Sequence, residues 1–257
     1  MRADSPQLFS RVYGEPGLHP LIILHGLFGS SKNWQSVATL LSENYQVYAL
    51  DLRNHGESFH SASHSIADMV EDVLRFIEFQ QVVEPVLIGH SMGGLVGMQL
   101  ALENPGRLSS LVVVDIAPRS YDTDYSNEFN ALSLDLALYQ TRAEIDKAMQ
   151  KYISSKELRQ FLQMNIDQNE KGYFYKINAE VIESQPGRTT FMPSINQSDI
   201  KTLAIYGSES GFILDSDKDL FKKYFEQVQF ACIQGAAHWL HYSHQGAFLK
   251  AVSEFLK

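Results

Sequence analysis

Apolar runs too short for helices recur along the chain at residues 8–13, 21–24, 46–50, 86–88, 111–114, 202–206 and 228–233. Bounded by turn residues, such runs read as strands. From the third run onward, stretches with helical periodicity intervene, the alternation that a parallel sheet with right-handed crossovers requires. The clearest of these helices starts after Ser65, which forms a capping box with Asp68. Ile66, Met69, Val70, Val73, Phe76 and Ile77 then make one apolar face directed at a core. A second helical stretch covers 95–103. The alternation stops between residues 119 and 198. Helical patterns there, over 127–139, 142–153, 156–165 and 173–183, are punctuated by the turns Asn169-Glu170-Lys171-Gly172 and Gln185-Pro186-Gly187. The pattern predicts an α/β protein whose mostly parallel central sheet is flanked by helices. Its core is expected over 1–118 and 199–257, with a helical cap over 119–198. An insertion that leaves the sheet after the 111–114 strand emerges at the edge where such folds bind ligands, so the cap is expected to cover that edge.

Candidate chemistry gathers at the strand ends. Gly89-His90-Ser91-Met92-Gly93 joins the 86–88 run to the 95–103 helix. A serine on so sharp a strand-to-helix turn needs small residues two before and two after it, and Gly89 and Gly93 supply them. A helix beginning there aims its free N–H groups, that of Met92 foremost, at any anion formed beside the serine. His25-Gly26-Leu27-Phe28-Gly29 follows the 21–24 run and can bring a second backbone N–H to the same place. Leu27 is the expected donor and Phe28 the alternative.

A serine hydroxyl also needs a base, and imidazole suits that role near neutrality. Of the nine histidines, His238 in Gly235-Ala236-Ala237-His238-Trp239 stands on a loop after the last strand. It is the expected base. His90 lies inside the turn and is expected to point away from the serine, while His25 braces the Gly26 loop. His55, His60 and His64 occupy a polar loop, His19 precedes the first core strand, and His241 and His244 fall in or near the last helix.

The chain order nucleophile, acid, histidine puts the acid between Ser91 and His238. The usual position, the turn after the 202–206 strand, reads Gly207-Ser208-Glu209-Ser210, with serine where an aspartate is common. The 111–114 strand ends instead in Asp115, at the same sheet edge as Ser91. Asp115 is therefore expected to orient His238, with Ser210 as a supporting fourth member and Glu209 as the rival. Asp51, at the end of the third run, precedes the serine and is expected to accept backbone N–H groups of its own loop. These residues by themselves point to acyl transfer by a serine nucleophile.

Composition narrows the setting. Of 257 residues, 44% are apolar, enough for one sizeable α/β domain with an insertion. Twenty-one Lys and Arg against 30 Asp and Glu leave a net charge of −9, with no basic run to follow a phosphate backbone, so nucleic acid is an unexpected partner. A single cysteine, Cys232, sits in an apolar run and is expected to be a buried structural thiol in a reducing compartment. The segment Met1 to Gln7 lacks the apolar stretch of a signal peptide, and no run approaches the length of a membrane span; a soluble, cytoplasmic protein is expected. No His, Cys and carboxylate cluster has metal-ligand spacing, so neither metal nor cofactor is expected.

Across nearly its whole length the chain resembles the α/β-hydrolases. Within them, His25-Gly26-Leu27-Phe28-Gly29-Ser30, Asn33-Trp34, Asp51-Leu52-Arg53-Asn54-His55-Gly56 and Val114-Asp115-Ile116-Ala117-Pro118 together resemble the YbfF-type bacterial esterases. In that family the acid follows the strand after the nucleophile, as Asp115 does. The resemblance implies a small helical cap and hydrolysis of carboxylic esters or acyl-CoA thioesters of small to medium acyl groups. Phe28, Phe129, Phe174 and Trp239 are candidates to line the acyl pocket, beside the alternative that each packs the cap on the core. Hydrolysis of a carbon–carbon bond by the same fold, and a non-catalytic ligand-binding module, are the alternative functions.

Overall fold

The computed structural model describes residues 6–185, 187–193 and 197–257. Pro186, in the turn expected at 185–187, lies outside them. In chain order the elements are β1 (Ser10–Tyr13), β2 (His19–Leu24), α1 (Gln35–Leu41), β3 (Tyr45–Leu50), α2 (Ile66–Phe79), β4 (Val86–His90), α3 (Met92–Glu103) and β5 (Ser110–Val114). An insertion follows, made of α4 (Ser126–Leu132), α5 (Arg142–Met149), α6 (Lys156–Gln163), β6 (Ile166–Asn169), β7 (Gly172–Tyr175) and α7 (Ala179–Ser184). The chain then returns through β8 (Lys201–Gly207), α8 (Asp217–Tyr224), β9 (Val228–Ile233), α9 (Leu240–Ser243) and α10 (Gln245–Phe255).

Seven strands form one sheet in the order β1-β3-β2-β4-β5-β8-β9, in which only β1 is antiparallel to its neighbour. The strands alternate their side chains between two apolar layers. Ile22, Leu24, Leu87, Leu111 and Val113 face the layer that holds Val73, Phe76, Leu95 and Phe221 from α2, α3 and α8. Leu21, Ile23, Ile88, Val112 and Val114 face the other, against Val37 of α1 and Phe248 and Val252 of α10. Burial on both faces explains why these runs read as continuously apolar rather than alternating. Parallel strands put their carboxyl ends, and the loops after β2, β4, β5, β8 and β9, on one edge. Ser65 caps α2 as expected: its hydroxyl accepts the Asp68 N–H at 3.1 Å, and the Asp68 carboxylate accepts the Ser65 N–H at 3.2 Å. No helix among the described residues is long and apolar enough to cross a membrane.

The insertion differs from the helical expectation in two places: α4 ends at Leu132, short of the helix expected to 139, and the stretch before α7 is not helical. The turn expected at 169–172 joins a hairpin, β6 with β7, paired Ile166↔Tyr175 through Asn169↔Gly172, so that 173–175, read as the start of a helix, is strand. The turn has a local cause. Gly172 adopts φ +117°, and the Asn169 side chain accepts the Lys171 N–H at 2.8 Å. Tyr173 and Tyr175 pack against the core, which puts the intervening Phe174 on the outer face, exposed. Cys232 also departs from expectation: β9 closes one edge of the sheet, and the thiol is exposed there. The first strand begins at Ser10 rather than at residue 8.

The loop read as polar around His55 and His64 is buried. His25, His55 and His64 form a file of rings with centroids 4.9 and 5.5 Å apart. Desolvation holds His25 down to about 4, and His55 and His64 to about 3. Desolvation likewise lowers His241 to about 3, where its ring stacks on Trp34 at 4.1 Å. Because these folded values lie below the unfolded value near 6.5, the unfolded chain binds more protons in the window between them. Their contribution to stability is intact above pH 6.5 and falls as pH drops toward 4. Each fully neutral histidine contributes up to about 1.4 kcal/mol per pH unit to that slope. Neither ring nitrogen of His64 has a hydrogen-bond partner among the described residues, so His64→Leu removes a titrating group without breaking a bond. Urea unfolding at pH 7.5 and 5.5 is expected to show a smaller acid-induced loss in this variant than in the wild type. Equal losses would mean that His64 does not stay neutral in the folded protein.

Candidate active site

Ser91 sits between β4 and α3 with φ 50° and ψ −120°, a backbone conformation that a residue with a side chain adopts only under constraint. The constraint is visible on both sides. The Ser91 N–H donates to Val114 O at 3.0 Å, and Ser91 O accepts from the N–H groups of Gly94 and Leu95 at 2.8 and 3.1 Å. A Cβ on Gly89 would collide with the Gly93 carbonyl, and one on Gly93 would lie 2.6 Å from both Leu24 O and His25 O. Only glycine fits at either position.

Asp115 also has a positive φ, 52°, and its carboxylate is fully buried. An unpaired charge there would be expensive, and four contacts hold it. The Asp115 N–H donates to Ile205 O at 2.8 Å, tying the residue to β8. Its Oδ1 accepts the Gly207 N–H at 3.2 Å, and its Oδ2 accepts the Ser210 hydroxyl at 2.5 Å and the His238 Nδ1–H at 2.7 Å. Glu209 is exposed, its N–H spent on Ala236 O. With Nδ1 donating to the carboxylate, a neutral His238 presents Nε2 as an acceptor.

The His238 loop is tied to the residue before Ser91. His90 Nε2–H donates to His238 O at 2.9 Å, and the two rings are 4.6 Å apart. Phe212, two residues beyond Ser210, stacks on the His238 ring at 4.0 Å and 22°. The Ser91 hydroxyl has no hydrogen bond among the described residues; such bonds often close only around substrate. The N–H groups of Leu27, Phe28 and Met92 are likewise without an acceptor among the described residues. The Gly26 loop packs on the serine closely enough that a Cβ at Gly26 would stand 3.0 Å from Ser91 Cβ. Asp51 accepts the backbone N–H groups of Ser31 and Glu57 at 2.6 and 2.8 Å and is occupied in holding its loop.

Among the pocket candidates, Phe28 and Phe129 are buried against each other with centroids 5.1 Å apart. Phe174 lies on the outer face of its hairpin. Trp239 packs 5.2 Å from Phe161 of α6 and opens onto a groove of about 670 Å³ that Leu40, Met164 and Tyr242 also line. Neither Phe212 nor the His90–His238 bond was readable beforehand. Both depend on which loops meet, and no local pattern marks them. Among the described residues no group of His, Cys, Asp and Glu is placed to hold a metal ion.

The arrangement can take a proton from a serine, hold the resulting imidazolium against a buried carboxylate, and offer backbone N–H groups to an oxyanion. The family model described as the alpha/beta hydrolase fold matches residues 19–245. The chain belongs to the α/β-hydrolase family. It is 32% identical to the sn-1-specific diacylglycerol lipase ABHD11 of Danio rerio, over 100% of this chain and 85% of the relative. It is 30% identical to the esterase YbfF of Escherichia coli K12, over 92% of each. A solved marine microorganism esterase is 38% identical, with a TM-score of 0.93 over 98% of this chain and all of the other. These relatives support hydrolase activity of the esterase or lipase kind, and the resemblance to YbfF-type esterases holds.

If Asp115 orients His238, Asp115→Asn is expected to favour the wrong imidazole tautomer and lower kcat by about 10³ to 10⁴. Ser210→Ala, which removes one hydrogen bond to the charge, is expected to cost about one to two decades. Glu209→Gln should cost little. Steady-state kinetics on an ester substrate rank the three, and a large loss from Glu209→Gln beside a mild one from Asp115→Asn would reverse the assignment.

Proposed function

We propose that this protein is a serine esterase acting through an acyl-enzyme on carboxylic esters, or acyl-CoA thioesters, of small to medium acyl groups. The observation that carries this reading is the 2.7 Å bond from His238 Nδ1 to the buried Asp115 carboxylate, at the sheet edge where Ser91 is held in its constrained turn. The esterase and lipase relatives support ester cleavage in particular. His238 Nε2 takes the Ser91 proton as Oγ attacks the substrate carbonyl. The N–H groups of Met92 and Leu27 hold the oxyanion of the tetrahedral intermediate, Phe28 being the alternative second donor. Imidazolium then protonates the leaving alcohol or thiol, leaving an ester on Ser91. Water, deprotonated by His238, attacks that ester and releases the acid.

The residues 119–198 act in this reading as a cap over the site. The groove beside Trp239 takes an apolar part of the substrate, because Trp239 directly follows the base and Phe161 and Met164 face it from the insertion. The sum of the protein's charges, −9, gives anionic lipid no general attraction.

Ser91→Ala is expected to fold normally, to lose labelling by a fluorophosphonate, and to lose nearly all turnover of p-nitrophenyl esters and acyl-CoA thioesters of graded length. Retention of more than about a tenth of wild-type kcat would mean another group attacks. A wild-type protein that neither labels nor turns over any member of the panel would indicate a binding module, whereas labelling without turnover of any ester or thioester would point to carbon–carbon hydrolysis. Trp239→Ala is expected to shift the preferred chain length while sparing Ser91 labelling; an unchanged profile would assign the ring to packing.

A further inference from the structure

The Gly26 loop is a four-residue turn closed by the Gly29 N–H on Gly26 O at 3.0 Å, with Phe28 at φ 63°. A positive φ at the third residue is the arrangement of a type II turn, a position that favours glycine. Phe28 is held there from the insertion in two ways. Its ring packs edge-on against Tyr125 and Phe129, at 5.6 and 5.1 Å. Its carbonyl accepts the Nδ2–H of Asn165, at 2.8 Å. Asn165 is buried just before β6, and its backbone is fixed by donation to Leu162 O at 3.1 Å and acceptance from Lys176 N–H at 2.8 Å. Its amide also donates to Leu162 O, at 3.1 Å. Both side-chain neighbours are carbonyl acceptors, so the orientation of the amide is set by chemistry.

A trans peptide points its C=O and N–H in opposite directions, and that property links these bonds into one chain. Asn165 donates to the carbonyl of the Phe28–Gly29 peptide. The N–H of that same peptide donates to the carbonyl of the Gly26–Leu27 peptide. His25 Nδ1–H adds a second bond to that carbonyl, at 2.8 Å, while its Nε2 accepts the Leu52 N–H at 3.0 Å and so fixes the tautomer. The far end of the Gly26–Leu27 peptide is the Leu27 N–H, which has no acceptor among the described residues. Successive hydrogen bonds along aligned peptides polarise one another, and each restrains the plane of the next.

We propose that Asn165 is a positioning residue for the oxyanion site: from the insertion, through two peptide units, it holds and polarises the Leu27 N–H. The proposal rests on the reading of Ser91 as nucleophile and Leu27 as oxyanion donor. Seating of the insertion then contributes to the chemical step as well as to substrate binding, and Leu27 rather than Phe28 is the donor that the chain of bonds serves.

The test compares wild type, Asn165→Leu and Asn165→Asp on p-nitrophenyl butyrate, with inhibition by a trifluoromethyl ketone that forms a tetrahedral adduct on the serine. Removing an oxyanion donor outright costs about 10² to 10³ in kcat. Weakening one is expected to cost Asn165→Leu about tenfold or more, in kcat, with KM nearly unchanged and the ketone's Ki weakened by the same factor. Asn165→Asp keeps the shape but cannot donate when ionised. Its activity relative to wild type is expected to be lower still at pH 8 and to recover as pH falls and the new carboxyl gains a proton. This internal recovery also serves if the leucine variant fails to fold. A raised KM with unchanged kcat, a fall in kcat without a parallel change in Ki, or no relative recovery at low pH overturns the proposal. Ser91→Ala separates the two levels. An active Ser91→Ala defeats the serine reading and the proposal with it, whereas an inert one beside wild-type kinetics in both Asn165 variants defeats the proposal alone.

Discussion

The turn at Ser91 is the constraint around which the rest is arranged. A side-chain-bearing residue at φ 50° persists only if its surroundings over-determine it, and here β4, α3, β2 and β5 all contribute. Val114 O takes the Ser91 N–H; the first turn of α3 takes its carbonyl; Gly93 lies against the β2 carbonyls of Leu24 and the following His25. The hydrogen-bonded order of the central strands, β2-β4-β5-β8, is what brings these groups within reach. Parallel pairing then places the Gly26 loop, Ser91, Asp115 and the 207–212 loop at one edge.

Electrostatics at that edge is economical. One buried carboxylate accepts from Gly207, Ser210 and His238, so the charge is compensated by donors from β8, the loop after it and the loop after β9. The surrounding imidazoles carry no competing positive charge. Burial drives His90 well below its ordinary value and holds His25 near 4 and His241 near 3. In the proposed mechanism an imidazolium at His238 would thus form among neutral rings, with Asp115 as its partner. The same burial makes the histidines that organise the site a liability in acid.

The insertion is built into the active-site edge rather than resting on it. Phe129, Ile145, Leu162 and Ile182 belong to the same buried apolar layer as Leu24, Leu87 and Leu95. Polar ties reinforce this: Asn165 reaches the Phe28 carbonyl, the Asn178 N–H reaches Asn54 O at 2.9 Å, and Lys176 pairs with Glu57 at 2.5 Å. Each tie ends on a loop that leaves a carboxyl end of the sheet. Exposed ion pairs of this kind contribute little alone; the buried Asn165 amide, with nothing else to satisfy the Phe28 carbonyl among the described residues, matters more.

Residues close in sequence made much of this protein legible. The strand runs, the capping box at Ser65, the glycines around Ser91 and the loop histidine after the last strand all follow from period, sterics and turn chemistry acting over a few residues. Asp115 was reachable because strand-end position and chain order together restrict where an acid can stand. Tertiary structure decided the rest. The burial of His55 and His64 depends on the insertion and α2 closing over a loop whose own composition is polar. The turn at Asn169 to Gly172 was legible, but that the segments on either side of it pair as a hairpin over 166–175, and that 173–175 is strand rather than the start of a helix, depended on the pairing of two segments that carry no strand pattern of their own. Cys232 is exposed because β9 ends the sheet, and an edge is a property of the whole strand order. Asn165, His90 and Phe212 acquire their partners across 137, 148 and 26 positions of chain. Local pattern reports which face of an element is apolar; which polar group meets which across the sheet edge is set only when the elements pack.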